Sequence, residues 1–526
     1  MSDNNSTPTE RTVDSSRTTR RRFVRLAGAT GVTAGLAGCS GGGSSAGDGG
    51  GSGGSDGSGG SDDSGGSSGS DGESSGSSGG GGSVTIEWMT WPHGPMEELN
   101  AVLHEAGMSK DITVKRVPGG DNTDDFKSRT QQTLSASRAR PDVFHMDSAW
   151  ILPFIQRGQL VNLTEQFSSD VLSTVEENYS PSIQVALGKE NLSSDGDLYA
   201  APSLADFPSI LYRKDLVTEA GFDPDGESWA TEPMTWKEFS NVVAEVQSSA
   251  GTKYGFISNW AQSTLIACCS FNEIMVGFGG SYFGGMDNVL GNVGDRPITV
   301  AEQPTIDALR MLRTFMYGYE DDHSLPEDSG YAGGISTPST LQWQLEPERK
   351  QFHAGNAAFM RTWPYSYPIE FDKWGEDLGL MPVPYGVPAG DAKYGRSTTG
   401  SNALGGWNNA VNPNSEYVEE SVAFLEAMTK PEVQLHLLEA AGKLPPNANA
   451  RQTALEQPDR FPAMGPFMDT IQTAAKNAVP YPVSTIWSQE ASKVTQQVFG
   501  TLNQNSAPQS AMDELATQLE QLEGTV

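Results

Sequence analysis

Eleven tryptophans and fourteen tyrosines are the residues of this 526-residue chain whose chemistry is most suggestive. Trp88, Trp91, Trp150, Trp260, Trp363 with Tyr365 and Tyr367, Trp407 and Trp487 fall where loops should follow strands. Aromatic faces stack on the C–H faces of sugar rings, and Asp, Asn and Arg replace the hydrogen bonds that hydroxyls lose on leaving water. Trp363-Pro364 and Gly405-Gly406-Trp407-Asn408 set an indole beside structure-breaking residues, a pattern that suits a cleft better than a helix interior. Trp229 and Trp236 are assigned to the core. Signatures of bond-making chemistry are missing from the sequence. It holds no Gly-x-Ser-x-Gly elbow, no phosphate-cradling Gly-Lys-Ser/Thr loop and no His-Glu-x-x-His helix, and its six histidines never fall at metal-ligand spacing. No cofactor or metal is expected.

The elements that would position these residues alternate. Val84–Met89 and Ile112–Val117 read as strands, as does the apolar stretch from Pro141 to Met146. Helical stretches from Pro95 to Glu105 and Phe126 to Ser137 lie between them, and β-α-β-α-β order predicts a parallel sheet with ligand beyond its carboxyl ends. Thr235-Trp236-Lys237-Glu238 and Thr429-Lys430-Pro431-Glu432 read as capping boxes. Val418, Val422 and Leu425 form a core stripe, and Gly442 with Pro445-Pro446 stops the following helix. The adjacent Cys268 and Cys269 are expected to be buried thiols, since neighbouring cysteines rarely pair.

Composition narrows the class. A net charge of −32 excludes a protein held to nucleic acid by phosphate neutralisation. No run of 18 apolar residues offers a membrane span. The acids are spread along the whole body, which points to salt adaptation rather than to a cationic ligand. Residues 1–39 read as a twin-arginine export signal: Arg20 and Arg21 precede a short apolar run ending Leu36-Ala37-Gly38-Cys39, a lipoprotein cleavage pattern that would leave lipid on Cys39. Residues 40–83, almost pure Gly, Ser and Asp, read as a flexible tether with a reach of about 35–40 Å.

Six stretches taken in order resemble family 1 extracellular solute-binding proteins, the sugar receptors of ABC importers, and within them the maltose/trehalose-binding group. They are Pro141-Asp142-Val143 with Asp147 and Trp150; Leu198 to Pro202 with Asp206 and Leu211 to Leu216; Pro233 to Phe239; Phe352 to Met360; Gly405-Gly406-Trp407; and Gly442 to Asn447. Together with the acidic body and lipobox, the likeness extends to a haloarchaeal lipoprotein.

The resemblance implies a periplasmic-binding-protein-like α/β fold, with two lobes joined by hinge strands around a ligand cleft. Residues 84–204 plus 355–400 would form lobe 1, and 205–354 plus 401–526 lobe 2. It further implies that Asp147 and Asp206 accept hydrogen bonds from sugar hydroxyls, that Trp363 and Tyr365 stack on rings, and that Gly406, Trp407 and Trp487 meet the ligand. Glu97 or Glu98 is available as a first-loop acid. Arg361 is the one basic candidate placed in the cleft, which disfavours anionic solutes, and loss of the Trp407 ring should weaken binding without unfolding the protein.

The expected protein is a monomer, lipid-anchored on the outer face of the membrane. It would pass an unaltered mono- or disaccharide to an ABC permease. The alternatives are a polyol, glycerol phosphate or peptide on the same fold, or an extracellular glycoside-processing enzyme.

Overall fold

The computed structural model describes residues 83–525, except 180–195, 290–292, 395 and 397. The expected export signal, Cys39 and the tether up to Gly82 lie outside the described residues.

Two sheets organise the chain. The first contains β1 (Val84–Met89), β2 (Ile112–Val117), β3 (Val143–Asp147), β4 (Ala201–Asp206) and β10 (Gly405–Val411), in the order β2-β1-β3-β10-β4. The second contains β5 (Ser209–Arg213), β6 (Tyr254–Ile257), β7 (Ala357–Thr362) and β8 (Leu378–Met381), in the order β6-β7-β5-β8. A short parallel pair, β9 (Asn402–Ala403) with β11 (Ala478–Val479), completes the set.

β1 pairs in parallel with β2 and β3, as the alternating pattern implied, whereas β10 joins β3 and β4 antiparallel. Helices α1 (Met96–Glu105) and α2 (Thr123–Ser135) connect the first three strands. Ile86 and Trp88 on β1, Val114 on β2 and Phe144 on β3 are buried, which is why these short runs hold as strands.

The free edge of β2 is closed by side chains of α1. Asn100 donates to the Val114 carbonyl at 2.9 Å and accepts its N–H at 2.8 Å, and His104 Nε2 meets the Ile112 carbonyl at 2.8 Å. Asp142, the first acid of the Pro-Asp-Val motif, serves the framework: its carboxylate accepts the Glu87 N–H at 2.7 Å and pins β1 to the start of β3.

The expected lobe boundaries need correcting. Ala357–Thr362 pairs with β5 and β6, so the stretch after 355 builds the second sheet. Gly405–Val411 pairs with β3 and β4, so the chain after 404 returns to the first. The fully buried β7 fits equally well in the middle of either sheet, and only its partners decide.

The chain thus crosses between sheets at Asp206–Ser209, at Ala403–Gly405, and along the helix Pro431–Ala441. Val433 and Leu437 of that helix pack with the first sheet, while its Leu435 and Leu438, with Leu444 and Ala450, pack with Leu211 and Met360 of the second. The crossings are tied together: Ala205 N–H donates to the Leu444 carbonyl at 3.0 Å, and Asn402 Nδ2 donates to the Pro208 carbonyl at 2.7 Å.

Thr235 and Glu238 form the reciprocal capping box expected at the helix Trp236–Ala250. Thr429 does not cap the next helix. Its hydroxyl donates back to the Glu426 carbonyl at 2.7 Å and closes the helix Val418–Met428, leaving Lys430 at the start of Pro431–Ala441. Gly442, at φ +61°, ends that helix in the left-handed conformation glycine adopts without cost. Cys268 and Cys269 are buried as expected but joined as a disulfide, against the expectation of free thiols.

Candidate functional site

The strand register places the predicted acids on the two strands that flank β10. Asp147 ends β3 and sits opposite Trp407 of β10, and Asp206 ends β4 opposite Gly405. The β10–β4 register shifts between Trp407 and Asn408, a bulge where the strand meets the site.

Trp363 reaches this corner from the end of β7 in the other sheet. A Cβ built on Gly405 would lie 2.7 Å from the Trp363 ring and 3.1 Å from the Asp206 Cβ, so the indole sits directly against bare backbone. Only glycine leaves that space. Gly406 in turn presents its carbonyl to Ser148, whose backbone N–H and hydroxyl both donate to it, at 3.1 and 3.0 Å.

Both carboxyls are partly accessible, and their acidity is displaced. Burial pushes Asp147 up to about 7, opposed by the Ala149 N–H at 2.7 Å and by Lys127, and reinforced by Asp124. Burial likewise pushes Asp206 up to about 7, opposed by Lys443 and reinforced by Asp147. The two acids therefore share one electrostatic environment with two lysines. Burial pulls Lys127 and Lys443 down, while Asp124 and Asp147 near the first, and Asp206 near the second, hold them charged. A site built this way offers acceptors and donors in balance.

The sequence missed both lysines and Tyr481, whose phenol lies by Asp147 and Ser148. Lys443 stands within the Gly442–Asn447 motif, and being a cation beside a crossing was the available signal. Lys127 and Tyr481 carried none.

The expectation that Arg361 is the basic residue of the cleft is corrected. Its guanidinium is 2% exposed, bonds Glu273 through Nε at 2.8 Å and Nη2 at 3.0 Å, and lies 4.7 Å from the Trp363 ring centroid. It is spent on a buried ion pair beneath the indole.

The remaining aromatics divide. Trp407 is 7% exposed and caged, with Trp91 at 5.4 Å, Phe126 at 5.4 Å and His145 at 5.0 Å between ring centroids. Its ring belongs to the first-sheet core as much as to the cleft, so removing it cannot leave folding untouched. Trp487 is buried, with its ring stacked 6.5 Å from that of Tyr481, and it is Tyr481 whose hydroxyl feels Asp147. Tyr365 is half-buried, and its hydroxyl donates to Glu346 Oε1 at 3.0 Å.

Trp88, Trp150, Trp260 and Tyr367 are core, as are Trp229 and Trp236, the latter two as expected. Glu97 and Glu98 are exposed on the first turn of α1. Glu97 lines a separate groove of about 540 Å³ with Thr113, Lys115 and Arg116. Among the described residues no three His, Cys, Asp or Glu side chains gather as metal ligands, and no helix is long and apolar enough to cross a membrane.

Comparison with known proteins agrees with this architecture. Residues 96–435 match the family model described as bacterial extracellular solute-binding protein. A probable ABC transporter-binding protein of Deinococcus radiodurans is 25% identical over 421 residues, covering 78% of this chain and 87% of that one. Maltose-bound MalE3 of T. maritima superposes with a TM-score of 0.65 at 21% identity, over 83% of this chain and 99% of that one. A solute-binding protein of Thermotoga lettingae bound to α-D-tagatose gives 0.63 at 17% identity, over 84% and 100%. A fold of two sheets linked by three crossings, a family match over most of the chain and a collinear relative agree, and the chain belongs to the extracellular solute-binding proteins.

Proposed function

We propose that this protein captures an uncharged polyhydroxylated solute, a mono- or disaccharide, and delivers it unaltered to an ABC permease. The observation that carries the reading is the corner where Asp147, Asp206 and Trp363 meet: two carboxyl acceptors flanked by lysine donors, with an indole laid against Gly405. Such a set matches a sugar ring's own pattern of hydroxyl edges and apolar faces. The relatives support the class: a maltotriose-binding protein of Pyrococcus abyssi is 24% identical over 244 residues, 46% of this chain and 42% of its own length.

A solute of net negative charge fits less well, because both lysines already face a carboxyl. The roles of Asp147, Asp206, Trp363, Tyr365, Gly406 and Trp407 as ligand contacts form part of this proposal. So do action without catalysis, export through Arg20-Arg21, anchoring at Cys39, a monomeric state and salt adaptation.

The test is a melting-temperature screen of the full chain against glucose, maltose, trehalose and ribitol in high salt, since a ligand that binds only the folded state raises the melting temperature. A shift with at least one sugar is expected. Release of glucose from maltose on prolonged incubation would replace the receptor reading with an enzymatic one.

A further inference from the structure

Helix α2 begins with Asn122, whose side chain accepts the Asp125 N–H at 3.0 Å, so its first turn is rigidly capped. Two residues of its first turn and a half reach across to the other lobe. Asp124 Oδ1 accepts the Thr264 hydroxyl at 2.7 Å, and Lys127 Nζ donates to the Ser488 hydroxyl at 3.1 Å. At i and i+3 on one helix, they lie on one face.

Their partners belong to a single platform. Ser488 is the second residue of the helix Trp487–Leu502, and Thr495 of the same helix donates to the carbonyl of Ser263, the residue before Thr264, at 3.2 Å. This helix packs through Trp487 and Val494 into the core of the second sheet, while α2 packs through Phe126 into the core of the first. The two bonds thus span the lobes between rigid ends, and neither requires a ligand.

We infer that Asp124–Thr264 and Lys127–Ser488 form a closure latch that sets the affinity of the cleft for every solute it takes. The inference rests on the proposed capture between lobes. A bond that exists only with the lobes together adds its free energy to the closed state alone, so it raises apparent affinity by raising the closed population. Thr264 stands outside the Asp147–Asp206–Trp363 corner, so loss of its hydroxyl should act on all ligands by a common factor. Asp124 and Lys127, both electrostatically coupled to Asp147, tie the latch to the acid of the cleft floor.

The test uses the full chain and the sugars that shift its melting temperature. Thr264→Val, alone and with Ser488→Ala, removes the hydroxyls while nearly keeping side-chain size. Each should weaken binding, by about 5-fold for the first and about 10-fold or more for the pair, the scale of one and two solvent-reachable hydrogen bonds. Both should act mainly through faster dissociation and leave the rank order of sugars unchanged. Small-angle scattering of the ligand-free double variant should show a larger radius of gyration than the parent.

Thr264→Ser, which restores the hydroxyl, should recover parental affinity and so separate the latch from a folding defect. Affinities equal to the parent's, or losses that differ widely between sugars, would overturn the latch. Absence of binding by the parent itself would instead fell the sugar reading on which it rests.

Discussion

The two sheets hold their contributions to the cleft by opposite means. The first-sheet wall is neutral: behind Asp147, Trp407 packs on Trp91, Phe126 and His145, and the ring of Trp88 stacks on that of His93 at 4.5 Å. His93 Nε2 and His145 Nδ1 meet the single hydroxyl of Thr90 at 2.6 and 3.0 Å, and burial drives the pKa of both rings well below the usual value. The second-sheet wall is ionic. Trp363 rests over Arg361, Arg361 is clamped by Glu273, and Glu273 accepts the Ala403 N–H at 2.9 Å at the crossing into β10.

Packing resists through shape and is insensitive to charge, whereas a buried ion pair is stable only while both partners remain. The same task, holding an indole at a cleft, is thus fragile to different perturbations on the two sides.

The largest effect should come from breaking the ionic side alone. Glu273→Ala takes from buried Arg361 the carboxylate that clamps it, leaving only the charge interaction with buried Glu348, and frees the Ala403 N–H, so stability should fall by about 3–5 kcal/mol, read as a lower denaturant midpoint. Glu273→Leu with Arg361→Met should recover most of that loss, because a neutral pair of similar volume has no charge to desolvate. A double variant as unstable as the single one would show that packing, not charge pairing, holds this wall.

On the neutral side, Trp407→Ala empties a cage of three aromatic rings and should cost about 3 kcal/mol of stability together with any loss of binding. An unchanged unfolding midpoint would return Trp407 to the cleft alone. Between the two walls, Gly405→Ala forces a methyl into the Trp363 ring. Overpacking of this kind costs about 1–3 kcal/mol, and the indole is the part that must yield. Sugar affinity should drop more than stability does, with calorimetric titration and denaturant unfolding giving the two numbers.

Much of this was legible in the chain. Strands β1 and β2 follow directly from alternation, and Asp147, Asp206 and Trp363 stand in motifs whose order a relative would share. The misassigned lobes have a physical cause: β7 and β10 are buried along nearly their whole length, and a strand buried on both faces carries no mark of which sheet will bury it. Pairing partners about a hundred residues away or more decide that, just as a distant helix decides that Arg361 faces Glu273 rather than a ligand. Lys127 and Tyr481 were invisible because their role depends on the approach of two lobes, and nothing local to either residue encodes it.

The smallest expected effect lies within the first-sheet wall and separates its rings from its carboxyls by sign. His93 and His145 stay neutral in the fold but protonate near pH 6.5 once unfolded, so below that pH the unfolded state gains protons and their contribution to stability falls. Asp147 and Asp206 do the reverse. With folded values of about 7 against about 3.9 unfolded, they bind protons in the fold that the unfolded chain releases, so their contribution rises as pH drops from 7 toward 4. Over pH 7 to 5 the rings and carboxyls oppose each other, and the parent's dependence on these four groups should be shallow. Asp147→Asn with Asp206→Asn removes the rising term and leaves the falling one. Relative to the parent, that variant should therefore lose about 1–2 kcal/mol between pH 7 and 5, the partial solvent access of both carboxyls keeping the figure below the full linkage value. Parallel pH profiles for variant and parent would mean that the carboxyls titrate normally, and the acid side of the comparison would fall.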